Sequence, residues 1–280
     1  MKTQFLSTLL LALLCTTVEA QKHPYGQNKA VGKTAQVNGI SLYYEIYGQG
    51  QPLLILHGNG GYSGSRANMM DDLIAQYQVI TVDHRCHGQS GCTDELNYQL
   101  MASDINQLLN HLKVDSAYIY GHSDGGILGL IMGYQYPDKV KKLVVSGANI
   151  KHDSTALEPV IVRIMKKYKQ IKDPTMRKHI ELMVNYPDIE FESLHGIQAP
   201  TLVLAGDRDA VRLSHTVRIF ESIPKANLSI WPASTHFIGE EQPELLTQTL
   251  FDFFEKPFRM PATTDWAKQV ATQILPGVKY

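Results

Sequence analysis

The sequence predicts an α/β protein in which a mostly parallel, doubly wound β-sheet is covered by helices on both faces. Short, almost continuous apolar runs such as Pro52–Leu56 and Ala117–Tyr120 are typical of strands in a parallel sheet that is buried on both sides. They alternate with segments whose apolar residues recur every three or four positions, of which Tyr98–Leu112 is the clearest. This alternation indicates helices that connect parallel strands.

The remaining elements follow in order along the chain. Asn38-Gly39 suits a tight turn between Ala35–Val37 and Ile40–Tyr47, which predicts an antiparallel hairpin at the start of the sheet. The other predicted strands are Pro52–Leu56, Val79–Val82, Ala117–Tyr120, Leu143–Val145, Thr201–Leu204 and Leu228–Trp231. The predicted helices are Ala67–Tyr77, Tyr98–Leu112, Gly125–Tyr136, Arg212–Ser222 and Glu244–Phe254.

Two segments depart from this alternation. Residues 153–194 are rich in Lys, Met and Tyr at helical spacing and lie between two predicted strands. We therefore expect a small helical cap that is inserted into one domain spanning residues 36–255. Residues 256–280 form a C-terminal tail with a predicted helix at Asp265–Leu275, which we expect to pack on the body of the domain.

Composition limits the classes of partner. The 280 residues include 26 Lys and Arg against 27 Asp and Glu, a formal net charge of −1, so the chain lacks the basic surface that nucleic-acid binding needs. Hydrophobic residues at 44% and charged residues at 19% are ordinary for a globular protein, and the length allows a sizeable core. Oligomeric state stays open.

The first twenty residues have the layout of a cleaved secretory signal. Lys2 precedes the apolar run Phe5–Leu14, and Val18-Glu19-Ala20 ends the segment with residues that suit a cleavage site. We expect residues 1–20 to be removed and residues 21–35 to lead into the domain. The mature protein is then expected to be secreted or periplasmic, without stable membrane insertion, and an uncleaved N-terminal anchor is the alternative.

Export bears on the cysteines. Without Cys15, the mature chain keeps Cys86 and Cys92, which lie six positions apart in a glycine-containing loop. They can pair in an oxidising compartment, and two free thiols are the alternative.

A candidate nucleophile lies between a predicted strand and a predicted helix. Gly121-His122-Ser123-Asp124-Gly125 matches the pattern G-x-S-x-G in the strand–turn–helix context of a nucleophile elbow. The sharp turn requires a strained backbone at Ser123, and the two glycines remove Cβ atoms that would clash. The helix N-terminus directs free N–H groups and partial positive charge toward developing negative charge.

A serine nucleophile needs a histidine base that an acid holds in place. His236 follows the last predicted strand and Asp209 follows Thr201–Leu204, so both leave the carboxyl ends of parallel strands, where such sheets place their sites. The order Ser123, Asp209, His236 is one in which such triads occur along α/β chains. Asp207 is the rival acid, and Asp209 is favoured.

A glycine-rich loop, His57-Gly58-Asn59-Gly60-Gly61, follows the first parallel strand. Such a turn can direct a backbone N–H at an oxyanion, and the expected donors are the N–H groups of Asn59 and Asp124. The loop lacks the G-x-x-x-x-G-K-[ST] pattern of a phosphate loop. His57 is expected to support the loop rather than to act as a base.

Together these motifs resemble the α/β-hydrolase superfamily over residues 36–254. The resemblance rests on five motifs in order: His57-Gly58-Asn59-Gly60-Gly61, Asp83-His84-Arg85-Cys86-His87-Gly88-Gln89-Ser90, Gly121-His122-Ser123-Asp124-Gly125-Gly126, Gly206-Asp207-Arg208-Asp209 and Thr235-His236-Phe237. It implies a Ser123 nucleophile, an Asp209 acid, a His236 base and oxyanion donors at Asn59 and Asp124. Cys86 departs from the family pattern, in which glycine is usual at that position.

Two stretches, Ser123-Asp124-Gly125-Gly126-Ile127 and Val144-Val145-Ser146-Gly147-Ala148-Asn149, are similar to the valacyclovir-hydrolase (biphenyl-hydrolase-like) group of serine esterases. In that group an Asp beside the nucleophile contacts the α-amino group of an aminoacyl ester, which implies a substrate-binding role for Asp124. The alternative is an acid that the helix N-terminus favours by about 0.3–1 kcal/mol.

The expected function is that of an exported, carboxylesterase-like serine hydrolase that cleaves small carboxylic esters through an acyl-enzyme, with no metal or organic cofactor. Cap residues Met165 and Tyr168, with Met183 and Tyr186, are candidates for substrate binding, and core packing is their alternative role. Hydrolysis of lactones, amides or carbon–carbon bonds on the same triad stays open, as does non-catalytic ligand binding on this scaffold.

Overall fold

Eight β-strands form one sheet in the computed structural model, which describes residues 24–274. They are β1 (Lys33–Val37), β2 (Ile40–Tyr47), β3 (Gln51–Leu56), β4 (Tyr77–Val82), β5 (Ala117–His122), β6 (Val140–Ser146), β7 (Thr201–Gly206) and β8 (Ala226–Trp231). Their order across the sheet is β1-β2-β4-β3-β5-β6-β7-β8. Strand β2 pairs antiparallel with β1 and β4, and the neighbouring pairs from β4 to β8 are parallel. The predicted mostly parallel sheet with its N-terminal hairpin is confirmed.

Helices cover both faces of this sheet. They are α1 (Ala67–Ile74), α2 (Tyr98–His111), α3 (Asp124–Gln135), α4 (Pro159–Met165), α5 (Pro174–Asn185), α6 (Leu213–Glu221), α7 (Ile238–Glu241), α8 (Pro243–Glu255) and α9 (Thr263–Ile274). Successive side chains of β3 enter opposite core layers: Leu54 and Leu56 join the layer formed with α2, α3 and α6, and Leu53 and Ile55 join the layer with α1 and α8. Burial on both faces explains why the strands read as continuous apolar runs.

The helical cap predicted between two strands is present. Helices α4 and α5 lie between β6 and β7, and Val162 and Met165 of α4 form a small apolar cluster with Leu157 and Val211. Asp173 caps α5 by accepting a hydrogen bond from the backbone N–H of Met176 at 2.7 Å. This cluster holds the cap over the carboxyl ends of the strands.

The C-terminal helix differs from expectation. No residue of α9 is buried, and Trp266 is 63% exposed. The expectation that this helix packs on the body is therefore wrong. Its apolar face consists of Trp266, Val270 and Ile274 separated by polar and small residues, which offers little area to bury.

The segment that precedes β1 is docked through a buried carboxylate. Glu45 of β2 is fully buried and accepts hydrogen bonds from the backbone N–H groups of Gly26 and Asn28 and from the hydroxyls of Tyr43 and Tyr47. The predicted signal at residues 1–20 lies outside the described residues. Within residues 24–274 no helix combines the length and the apolar character needed to cross a membrane.

A cross-link resolves the alternatives for the cysteines. Cys86 and Cys92 form a disulfide in the loop after β4. Cys86 has a φ of 63°, in the left-handed region that favours glycine, so it occupies the conformation that a glycine adopts easily at this position. The preceding Arg85 is buried and pairs with Asp104 of α2 at 2.7 Å. The loop is thus held to the body of the domain beside the cap.

Candidate active site

Ser123 lies at a sharp turn between β5 and α3. Its backbone is in an unusual conformation, with φ 55° and ψ −119°. A Cβ atom at Gly121 would lie 2.0 Å from the carbonyl oxygen of Gly125, and one at Gly125 would lie 2.1 Å from that of Leu56. Both positions therefore require glycine, as the motif predicts, and the turn presents the serine at the carboxyl edge of the sheet.

His236 connects Ser123 to Asp209 through two hydrogen bonds. Its Nε2 lies 3.0 Å from the Ser123 Oγ, and its Nδ1 lies 2.7 Å from the Asp209 Oδ1. Since a carboxylate only accepts, the Nδ1 carries the proton and the Nε2 is free to accept the serine proton. The structure brings together the three residues that the sequence singled out.

Asp209, rather than Asp207, is the acid in contact with His236. The Asp209 side chain is 2% exposed, and its Oδ1 also accepts from the backbone N–H of Val211 at 2.9 Å. Asp207 is 32% exposed and accepts instead from the backbone N–H of Ser234 at 3.3 Å. The rival acid is thus a loop residue that does not contact the imidazole.

Gly147 makes room for this hydrogen-bonded chain. It has a φ of 59°, and a Cβ atom there would lie 2.8 Å from the Cε1 of His236 and 3.4 Å from the Oδ2 of Asp209. Any side chain at this position would displace the imidazole. The only sequence feature that pointed to this role of Gly147 was its position directly after Ser146, the last residue of β6.

The glycine-rich loop after β3 lies against the nucleophile. A Cβ atom at Gly58 would lie 3.2 Å from the Ser123 Cβ, and the Asn59 side chain donates to the Asp124 Oδ2 at 2.9 Å. Asn59 also donates to the carbonyl oxygen of His179 in the cap at 3.1 Å. The expected oxyanion donors therefore lie on two segments that contact each other beside Ser123.

His57 supports this loop, as expected. Its Nδ1 donates to the carbonyl oxygen of Gly58 at 2.7 Å, and its Nε2 accepts from the backbone N–H of His84 at 3.0 Å. Burial lowers the pKa of His57 to about 4, so the ring is neutral at physiological pH. It is a structural histidine and does not contact Ser123 through a hydrogen bond.

Four histidine rings stack beneath the loop, an arrangement that no sequence motif predicted. His57 stacks on His84 with centroids 3.7 Å apart, and His87 stacks on His179 of α5 at 3.9 Å. Burial lowers the pKa of His87 to about 3. The His179 Nε2 donates to the carbonyl oxygen of Cys86 at 2.8 Å, so these rings join the cap, the disulfide loop and the oxyanion loop.

A cavity of about 180 Å³ opens at Ser123 beneath the cap. It is lined by Tyr98, Ser123, Asp124, Asn149, Leu157, Ile161, Met165, Met183, Tyr186, Ala210, Val211 and His236. Met165, Met183 and Tyr186 lie where the sequence placed them. Tyr168 does not: it lies outside this cavity and its hydroxyl donates to Glu181 at 3.2 Å. Tyr168 falls on the outer side of the cap because it follows the end of α4 in a separate 3₁₀ turn.

Asp124 is a buried carboxyl group in this cavity. It is the first residue of α3, 3% exposed, and burial raises the pKa of its carboxyl, although its hydrogen bond from Asn59 acts in the opposite direction. The hydroxyl of Tyr98 is buried nearby without a hydrogen bond of normal geometry, and its pKa is raised by burial and by Asp124. The Asp124 carboxyl and the Tyr98 hydroxyl thus form a polar end of a mainly apolar cavity.

The histidine and acidic side chains near the site are of the types that hold metal ions in proteins. In the part of the chain that the structure describes, no group of three or more His, Cys, Asp or Glu side chains is arranged to hold a metal ion. The stacked histidines instead form hydrogen bonds to backbone groups or pack ring against ring.

Comparison with known proteins agrees with this fold. A family model described as the alpha/beta hydrolase fold matches residues 51–170. The chain has the α/β-hydrolase fold, with a serine at the nucleophile elbow. The family-model match and the order of the motifs support membership of the α/β-hydrolase superfamily, and hydrolase activity is supported at that level.

Individual relatives are distant. The sn-1-specific diacylglycerol lipase ABHD11 of Danio rerio is 23% identical over 269 residues, which cover 77% of this chain and 83% of the relative. The meta-cleavage product hydrolase CumD of Pseudomonas fluorescens is 21% identical, with a TM-score of 0.67 over 81% of this chain and 99% of that one. The esterase EaEST of Exiguobacterium antarcticum is 23% identical, with a TM-score of 0.71 over 80% of this chain and 100% of the esterase chain. These structures share the fold.

Proposed function

We propose that this protein is an exported serine hydrolase that cleaves small carboxylic esters, with Ser123 as nucleophile, His236 as base and Asp209 as orienting acid. The observation that carries the proposal is the continuous hydrogen-bonded chain from Asp209 through His236 to Ser123, which ends at a cavity under the cap. Such a chain activates a serine that is otherwise a weak nucleophile.

The reaction follows from this geometry. The Nε2 of His236 takes the hydroxyl proton as the Ser123 Oγ attacks the ester carbonyl. Backbone N–H groups of Asn59 and Asp124 stabilise the oxyanion, and His236 then protonates the leaving alcohol. Water, deprotonated by the same Nε2, releases the acid and regenerates the serine. Asp209 holds the imidazole in the reactive tautomer and stabilises its protonated form.

Cavity size and lining favour small esters. About 180 Å³ of space beside Ser123 accommodates a short acyl or alcohol group, and its walls are mainly aliphatic and Met side chains. The esterase and lipase names among the relatives are compatible with this substrate class. Export rests on residues 1–20 and accords with the disulfide, a bond typical of oxidising compartments.

Covalent labelling tests the nucleophile. We expect a fluorophosphonate probe to label the mature protein at Ser123, because such probes trap an activated serine. Mass spectrometry of labelled protein recovered from the medium or periplasm should locate the label on Ser123 and show Gln21 at the N-terminus. The Ser123→Ala variant should not label, whereas Ser229→Ala, on β8 and away from the cavity, should label like the wild type. Equal labelling of Ser123→Ala would refute the assignment.

A substrate with a free amino group is favoured by Asp124. The carboxylate is buried, lines the cavity beside Ser123 and carries a desolvation cost that a substrate ammonium would offset. On this proposal, the chain shares its preference for an amino-bearing substrate with the biphenyl-hydrolase-like esterases.

Selectivity for aminoacyl esters measures this role. We expect Asp124→Asn to lower the ratio of kcat/KM for an aminoacyl ester to that for its des-amino analogue by about 10- to 100-fold, since a charge-assisted hydrogen bond contributes about 1.5–3 kcal/mol. The backbone N–H at this position is kept in the variant, so the oxyanion site remains. An equal loss on both esters would show that the carboxyl group only supports the helix.

A further inference from the structure

A second cavity also includes Ser123. It has a volume of about 390 Å³ and is formed by the Gly58–Gly61 loop, Arg66, Glu240 and the exposed Phe237. Ser123 and His236 line both cavities. An ester whose carbonyl lies at Ser123 can therefore place a substituent in the second cavity, and the lining of that cavity then selects the substituent.

Arg66 brings a positive charge to the wall of this cavity. It directly precedes α1 and is only 4% exposed, and its Nη1 forms an ion pair with Glu240. Its Nε has no hydrogen-bond partner among residues 24–274 and faces Gly239, where a Cβ atom would come within 3.4 Å of it. Absence of a side chain at Gly239 thus allows the guanidinium to lie here.

The carboxylate that compensates this charge is partly exposed. His57 and His122 lie near Arg66, and burial together with the arginine charge lowers the pKa of both rings, so they are neutral. Compensation comes from Glu240, whose side chain is 51% exposed against 5% for Arg66, and from the neighbouring Tyr120 hydroxyl. A half-exposed carboxylate can rotate toward the solvent at a small cost in free energy. The guanidinium is then free to bind another anion.

The Arg85–Asp104 pair shows what a purely structural arginine looks like in this protein. Both of its side chains are 1% exposed, and Asp104 accepts from both the Nε and the Nη2 of Arg85. That pair adjoins neither Ser123 nor a cavity that contains it. Arg66 differs in both respects, because its partner is accessible and its cavity includes the nucleophile.

We propose that Arg66 recognises a carboxylate on the substituent of the substrate that enters this second cavity, and that Glu240 occupies the guanidinium until the substrate displaces it. Arginine suits this role because its planar fork of N–H groups matches a carboxylate. The inference rests on the proposed ester hydrolysis and narrows its substrate class to esters that carry a carboxylate.

Matched esters test the proposal. The acyl arm compares p-nitrophenyl hemiglutarate with p-nitrophenyl pentanoate, and the alcohol arm compares the butyryl ester of 3-hydroxybenzoate with that of 3-hydroxybenzamide. The readout is the ratio of kcat/KM for the anionic to the neutral ester in each arm. The arm in which variants change this ratio identifies the side of the ester that the cavity takes.

The two variants should change this ratio in opposite directions. Arg66→Met should lower the ratio by about 10- to 100-fold, mainly through KM, because charge-assisted hydrogen bonds are lost. Glu240→Gln should raise it about two- to fivefold, because a competing, half-exposed carboxylate is removed. Glu244→Gln, the same charge change on the exposed surface of α8, should leave the ratio unchanged. Glu240 is exposed enough that its variant is expected to fold even if Arg66→Met does not.

A purely structural ion pair would give another result. If Arg66 and Glu240 only hold the His236 loop, both variants lower kcat/KM for anionic and neutral esters alike, and unchanged ratios in both arms overturn the proposal. Loss of the proposed function itself is recognised separately, because the wild-type protein would then fail to label at Ser123. Labelling with unchanged ratios rejects only the role of Arg66.

Discussion

Replacement of His236 by alanine is expected to lower kcat for ester hydrolysis by about 10⁵- to 10⁶-fold, a loss comparable to that from removing the Ser123 nucleophile itself. The imidazole is the group that can accept the Ser123 proton at 3.0 Å, so its removal leaves an unactivated hydroxyl. Measurement of kcat at saturating substrate, with unfolding curves to verify that the variant is folded, checks the prediction. A loss of less than tenfold would mean that another base operates.

The two aspartates provide a matched pair for the same measurement. Asp209→Asn should lower kcat by about 10⁴-fold, because the amide no longer enforces the tautomer with the proton on Nδ1. Asp207→Asn, two residues earlier in the same loop, should cause a small change, since its carboxylate binds the backbone of Ser234 and not the imidazole. A large loss at Asp207 alone would assign the acid to the other residue.

The second large effect concerns stability. Arg85→Met is expected to lower the free energy of unfolding by about 3–5 kcal/mol, because it leaves the Asp104 carboxylate buried without its cation. Arg85 also donates to the Asn38 carbonyl oxygen and to Thr93, so it joins the hairpin turn, α2 and the disulfide loop. Equilibrium unfolding in urea at neutral pH gives the free energy directly.

A surface ion pair is the control for this loss. Lys151→Met removes contacts to Asp188 and Glu190, whose side chains are 64% and 70% exposed, and should cost less than about 1 kcal/mol. The double variant Arg85→Met with Asp104→Leu should recover part of the loss, because no unpaired charge then remains in the core. Equal losses for Arg85→Met and Lys151→Met would show that burial does not determine the cost.

Much of the fold was predictable because its determinants are local. Apolar runs and helical periodicity marked the strands and helices, and their ends differ from the structure by a few residues, as for Tyr98–His111 against the predicted Tyr98–Leu112. The Asn38-Gly39 turn has positive φ at both residues, as a tight hairpin requires. The C-terminal helix was found by the same periodicity, but periodicity carries no information on what a helix contacts, and its packing was mispredicted.

The sequence by itself determined the order of the elements, the serine at the strand–helix turn, and the order in which acid and base follow it. It did so because glycines at 121 and 125 and the apolar spacing each report on nearby backbone. Tertiary structure alone decided that Asp209 and not Asp207 meets His236, that Tyr168 lies outside the cavity, that Cys86 pairs with Cys92, and that Arg66 lines a cavity that includes Ser123. These outcomes depend on distances between side chains far apart in the chain, which are set by how the cap, the loops and the sheet pack.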